Sequence, residues 1–468
     1  MPVQSSTTRR RVTSRLDSVT IWGAGVGLAL LLGLLAGRSW AAPAAAAAVL
    51  AVGAYYARVF GLQVGLVVLL IVASAADHFT FHVGPVAVRA EQIAAMTALI
   101  ALVIMNLRGS GASWLKPNIA EGMLLAWFAC NVINSLLASP DRRLSLKILV
   151  LIGVCSLGFF LPRRLLGGPH AGEKLETVVR WLLIVFATEA AYGTLMYTLH
   201  VFGLNISLSR NPASGHVGAY GTLWEPNVFG AFAAAGAVAW VYLGPGRFKR
   251  PWFGLVACVG GLFDSVTRAA WLVAALAGAL GVAVPSLRRR LDGRMLGLGA
   301  LGSVAVIGVT VTVEQFGTYT IDPPVATRGH GLLAAILNLV DVVGRFNQLN
   351  PILGDIQGHI LFGRGTASFE ALHVVSGIPE HVASLPLLVL NDTGLIGLAL
   401  FGGFAAAVVA RAWSRRRVAI VAALGQVALV IGLTNLATET MELMTGWLLI
   451  GLLMAAVDPV GVDAPAAE

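Results

Sequence analysis

The sequence is short of charge. Asp, Glu, Lys and Arg make up only 12% of its 468 residues, against about 25% in a soluble globular domain. It is also short of cysteine. Cys130, Cys155 and Cys258 are the three, each inside an apolar run, with no CxxC or Cys/His spacing. Neither a disulfide framework nor a structural zinc is indicated. HExxH and an ordered Ser-His-Asp set are missing. The GRGT at 363–366 is too short for a phosphate-binding loop and follows no strand. Short repeats and low-complexity linkers are missing too. The net charge of +9 does not point to nucleic acid, because the cations sit in small clusters between apolar runs. Arg9, Arg10, Arg11 and Arg15 precede an apolar run that leads straight into another. They read as a cytoplasmic tail before a first span, not a cleaved leader.

What is abundant is apolar sequence. The chain is 57% hydrophobic with mean hydropathy +0.81, in runs near the ~20 residues that cross a bilayer. The expected fold is all-α, a polytopic transmembrane helical bundle of about 12–14 spans. The candidates are 21–37, 41–57, 59–76, 91–106, 119–138, 146–162, 177–201, 226–244, 252–264, 268–285, 295–313, 394–410, 417–433 and 439–456. Residues 1–20 and 457–468 are tails, 21–313 and 394–456 hold the spans, and 314–393 form one large polar loop with short amphipathic helices. That loop holds four of the nine histidines.

Basic residues alternate along the chain. Clusters at 108–116, 163–174, 247–250, 288–294 and 411–417 fall on one side, and isolated arginines fall on the other. By the positive-inside rule the clusters are cytoplasmic, both termini are cytoplasmic, and the 314–393 loop is periplasmic or its equivalent. The expected location is a membrane, crossed many times. Cations on the outer face then serve something other than topology, such as a headgroup, a structural carboxylate or a substrate phosphate.

Four outer segments carry candidate chemistry. The first, DHFTFHVGPVAVRAE (77–91), turns at Gly84-Pro85 and offers Arg89, which either pairs with Glu91 or rims a cleft. The second, from Arg210 to Asn227, ends in E-P-N. Pro226 suits the first position of a helix, and Glu225 then sits at the positive end of its dipole. Arg210 and His216 are harder to assign to packing, whereas Asn227, in the first turn of a span, can bond across helices. The third, DSVTRAAW (264–271), places Arg268 at a helix start, where the dipole disfavours a cation. Asp264 as counter-ion would explain it, and so would a phosphate held through paired hydrogen bonds. The fourth is the large loop, opened by Gly344-Arg345. His381 lies just before a short apolar helix that re-enters the membrane, with a second turn at Asn391-Asp392-Thr393-Gly394. Histidine is the side chain most easily tuned as a base near neutral pH. His330, His359 and His373 lack that context.

Taken in order, these segments resemble the O-antigen ligase/polymerase superfamily of bacterial membrane glycosyltransferases. The likeness runs over roughly 80–455. It rests on the loop Arg210–Asn227 ending in E-P-N, the span-end T-R-A-A-W at 267–271 against the family's S-R-G-x-W, the G-R at 344–345, the G-R-G at 363–365, and His381 followed by L-x-x-L and G-L-I-G-L. Val382 and Thr267 depart from the family's asparagine and serine. The resemblance implies inverting transfer, independent of metal and cofactor, of a glycan from an undecaprenyl-diphosphate carrier to an acceptor hydroxyl on the outer face. The acceptor would be lipid A–core for a ligase or the growing glycan for a polymerase. It implies Arg210, Arg268 and Arg345 on the diphosphate and His381 as base, with Arg89, His216, Glu225 and Asn227 at the rim. Outside that family, the competing reading is a lipid or polysaccharide transporter. A transporter would place charges at mid-membrane between related halves, and the charged residues here gather instead near span ends.

Overall fold

The computed structural model describes residues 55, 57–76, 80–83, 86–107, 117–168, 170–201, 218–223, 225–316, 349–375 and 378–458. Helices dominate: α1 (Leu62–Ser74), α2 (Ala90–Leu107), α3 (Ile119–Leu137), α4 (Arg142–Leu165), α5 (Ala171–Val201), α6 (Pro226–Leu243), α7 (Trp252–Asp264), α8 (Arg268–Ala283), α9 (Pro285–Arg288), α10 (Gly293–Phe316), α11 (Leu349–Asp355), α12 (Ser368–Leu372), α13 (Leu385–Ser414), α14 (Ala419–Thr434) and α15 (Met444–Val457). Two small antiparallel hairpins, β1–β2 (Thr80–Val83, Val86–Arg89) and β3–β4 (Val374–Val375, Ile378–Pro379), decorate one end.

Six helices are long and apolar enough to cross a membrane, and six shorter apolar helices accompany them. Each coincides with an expected span. The expected span 21–37, and 41–57 apart from Tyr55 and Ala57, lie outside the described residues. A stripe of large apolar side chains faces outward, among them Leu137 (77% exposed), Leu301 and Val150. Such a belt suits lipid contact. This is a polytopic helical membrane bundle.

The interior is closely packed where glycine or alanine meets an aromatic ring. Gly193 and Gly261 lie against Phe229, and Gly254 against Trp240. A β-carbon at Gly254 would fall 2.1 Å from the indole. Small residues permit this approach, which supplies much of the contact between helices in lipid. On the arginine-rich end, Glu121 closes a capping box on α3 and meets Arg163 (3.1 Å) and Arg164 (2.9 Å). Asp458 meets Arg411 there.

The polar segment expected at 314–393 is bounded more tightly. Helix α10 runs to Phe316, and α13 begins at Leu385, with Pro386 in its first turn. The expected turn at 391–394 is a break inside α13, where Gly394 adopts φ 62°, ψ −162°. Only glycine tolerates that conformation.

Candidate functional site

The break in α13 is the anchor of the site. Unwinding a membrane helix frees backbone groups that lipid cannot satisfy. Here the chain at 360–365 satisfies them. The N–H groups of Arg364 and Gly365 donate to the carbonyls of Asn391 and Asp392 (both 2.9 Å). In return, the N–H groups of Leu395 and Ile396 donate to the carbonyls of Ile360 (2.9 Å) and Leu361 (3.1 Å). The fit requires glycine on both sides. A β-carbon on Gly363 or Gly394 would lie 2.5 Å from the opposing backbone. Helix α3 clamps the same segment. Asn134 donates to the Phe362 carbonyl, Ser135 accepts from the Thr366 N–H, and the Thr366 hydroxyl reaches Asn131 (2.9 Å).

From this anchor the chain climbs through α12, which carries Glu370. It turns at His373, whose Nε2 is 2.6 Å from Asp355 and whose ring stacks on Phe369. His373 therefore braces the loop. After the β3–β4 hairpin comes His381, 79% exposed, with Nδ1 3.5 Å from Oε1 of Glu370. A carboxylate on Nδ1 favours the tautomer protonated there, which leaves the lone pair on Nε2. Glu370 itself is mostly buried (14% exposed), so the pair has a fixed member and an accessible one.

The connector between α14 and α15 faces the same pair. It carries Glu439 and Glu442, both half-buried. The Glu370 contact and the charges of Glu370, Glu442 and Glu439 raise the basicity of His381 above that of a free imidazole. Burial and the neighbouring carboxylates push Glu439 up to about 8 and also raise Glu442. The Asn435 side chain holds the connector by accepting from the Thr440 N–H and hydroxyl. The backbone carbonyl of Asn435 accepts from Leu385, the first residue of α13. Two helix ends and the histidine segment are thus one hydrogen-bonded unit.

Arg89 joins it from the other side. Its Nη1 donates to the Glu442 carbonyl (2.9 Å) and lies 3.6 Å from Glu91. Glu91, fully buried, accepts from the Met444 N–H (3.1 Å) at the start of α15. Those first N–H groups have no partner within their own helix. Arg89 therefore pairs with Glu91 and also ties the Glu442 backbone beside His381.

A second group forms at the same end. The turn Asp264–Thr267 packs under the loop 218–223, with the Ala219 N–H donating to the Asp264 carbonyl (2.8 Å). Arg268, half-buried, is the first residue of α8. The Thr267 hydroxyl donates to the Pro226 carbonyl (3.0 Å), and Asn227 Oδ1 is 3.5 Å away. Glu225 occupies the N-cap position of α6, and its side chain makes no capping bond. Glu189, buried in α5, holds the Thr222 N–H (2.6 Å) and hydroxyl (2.8 Å). The end of α1 touches both groups, since the Ala75 carbonyl accepts from Thr222 and the Ser74 carbonyl from Thr445.

Of the expected site residues, His381 and Arg89 share one group, and Arg268, Asn227 and Glu225 share the other. Arg210, His216 and Arg345 lie outside the described residues. Glu370 and Glu439 were not expected. Glu370 is eleven residues before His381, and no periodicity ties them. Only the hairpin between them brings them together. Among the described residues no cluster of three or more His, Cys, Asp or Glu is arranged to hold a metal ion. A scan of protein-family models and a search of curated proteins found no match to this chain.

Proposed function

We propose that this protein is a membrane glycosyltransferase. It moves a glycan from a polyprenyl-diphosphate carrier to an acceptor hydroxyl, with ligase-type transfer to lipid A–core first and polymerisation on the same donor second. The observation that carries this reading is the Glu370–His381 pair, exposed at the end of the bundle that bears the isolated arginines. Nε2 of His381 takes the acceptor proton as the oxygen attacks the anomeric carbon, and Glu370 stabilises the imidazolium that forms. The carrier diphosphate departs as the glycosidic bond forms. Arg268 supplies charge to it, since arginine holds phosphate oxygens in a fixed fork. The two roles fall to the two groups joined through α1. The diphosphate falls to the Arg268 side and the acceptor hydroxyl to the His381 side.

The reading is tested with purified protein given an undecaprenyl-diphosphate glycan, with and without lipid A–core. A conjugate formed only with lipid A–core supports the ligase. A ladder formed without it supports the polymerase. Untouched donor in both, from folded protein, removes the transferase reading.

A further inference from the structure

Helices α13 and α14 are joined only by residues 415–418, yet they do not close on each other. A cavity of about 690 Å3 lies between them, walled also by α15 and the end of α8. A connection this short ordinarily brings two antiparallel helices into contact. Here Gly402 on α13 and Gly425 and Gly432 on α14 line the gap, and a β-carbon on any of them would meet nothing. The α13 wall is apolar from Leu398 to Trp413, a rise of roughly 20 Å, or most of one hydrocarbon core of ~30 Å. So long and apolar a space suits a hydrocarbon chain better than water.

The two ends of the gap differ in charge. One ends at Thr440 and Met441, between Glu439 and Glu442. The other ends at Arg416, flanked by Arg415 and Arg417, all exposed. The Ser286 hydroxyl donates to the Arg416 carbonyl (2.7 Å), which ties this connector to the one carrying Arg288, Arg289 and Arg290. Several other arginines at this end meet carboxylates: Arg163 and Arg164 meet Glu121, Arg247 meets Glu176, and Arg411 meets Asp458. Among the described residues, Arg415, Arg416 and Arg417 form no ion pair. Arg416 lies 4.4 Å over the Trp413 ring and donates to the Trp413 carbonyl (2.9 Å), which holds the guanidinium at the mouth.

We propose that this gap binds an anionic phospholipid, with one acyl chain between α13 and α14 and the phosphate on Arg416. Charge complementarity selects the occupant and its direction. A guanidinium donates two parallel hydrogen bonds to a phosphate, and Arg416 is the one cation among the described residues lining the gap. The site lies at the end of the bundle opposite His381 and does not depend on the transferase reading. Its occupant fills the space between two helices that carry the His381 unit at their far ends, so it braces that unit.

The test uses delipidated protein and phosphatidylglycerol or phosphatidylcholine with brominated acyl chains. Trp413 and Trp447 line the gap, and bromine quenches their emission on contact. Phosphatidylglycerol is expected to quench at a concentration roughly tenfold below phosphatidylcholine, in line with a charge-assisted phosphate contact. Arg416→Ala brings the two lipids together, and Gly425→Leu, which fills the gap, abolishes quenching by both. Because Arg416 is exposed, its variant folds and decides the matter if Gly425→Leu does not. Equal quenching by the two lipids in the native protein, or a preference that survives Arg416→Ala, overturns the assignment of an anionic headgroup to Arg416. A polyprenyl monophosphate that displaces phosphatidylglycerol overturns the choice of lipid.

Discussion

His381 stood out in the sequence as a histidine just before an apolar helix, but its partner did not. Glu370 reaches it only because α12 and a two-residue hairpin fold back over the anchor at 360–366. The pairing makes a pH prediction with a definite sign. His381 must be unprotonated to act as a base, and its raised basicity places the acid limb of the pH–rate profile above pH 6.5. Glu370→Gln removes the largest cause, so the limb moves to lower pH while kcat at the optimum falls about 10- to 100-fold, as for an orienting partner. A limb that stays in place would separate Glu370 from the base. Glu439 makes a second prediction. Folded, it holds its proton up to about pH 8, whereas in the unfolded chain it loses it near 4.5. Its contribution to stability therefore falls as pH rises through that window. Glu439→Gln is expected to match the native protein in thermal unfolding at pH 4.5 and to exceed it at pH 8.5.

Most of the elements could be read from hydropathy and connector chemistry. Every described apolar helix coincides with an expected span, because the length of apolar sequence needed to cross a bilayer is a strong constraint. The Asn391–Gly394 turn was legible from its residue types. Its partner was not, since the reciprocal bonds between 360–365 and 391–396 join segments with no common period. Glycine at 363 and 394 is required both by that interlock and by the positive φ of each. Gly394→Ala places a side chain 2.5 Å from the Leu361 backbone in a conformation reserved for glycine. The backbone strain alone costs about 1–3 kcal/mol, read as a lowered unfolding midpoint and faster proteolysis within 349–384. Gly425→Ala, which faces open space, is expected to leave the midpoint nearly unchanged. Equal effects from the two would remove the interlock as the source of order.

For the whole molecule, composition alone separated a membrane bundle from a soluble domain, and charge alternation sorted the clustered cations from the isolated ones. Charge alternation cannot distinguish cations already matched by carboxylates from those left for a ligand. Glu121 and Asp458 neutralise one set of arginines, while Arg415–Arg417 keep theirs available. Nor does any sequence pattern announce that α13 and α14 stand apart. The transferase reading assigns base and anion binding to two groups on one end, coupled through Ser74 and Ala75. It rests on His381 above all. The most direct measurement is glycan transfer by His381→Ala in the reconstituted assay, beside native protein of equal unfolding midpoint and equal donor binding. The account predicts that transfer falls at least ~100-fold, within the range general-base catalysis supplies, while donor binding is unchanged. Transfer at the native rate in that variant would contradict it.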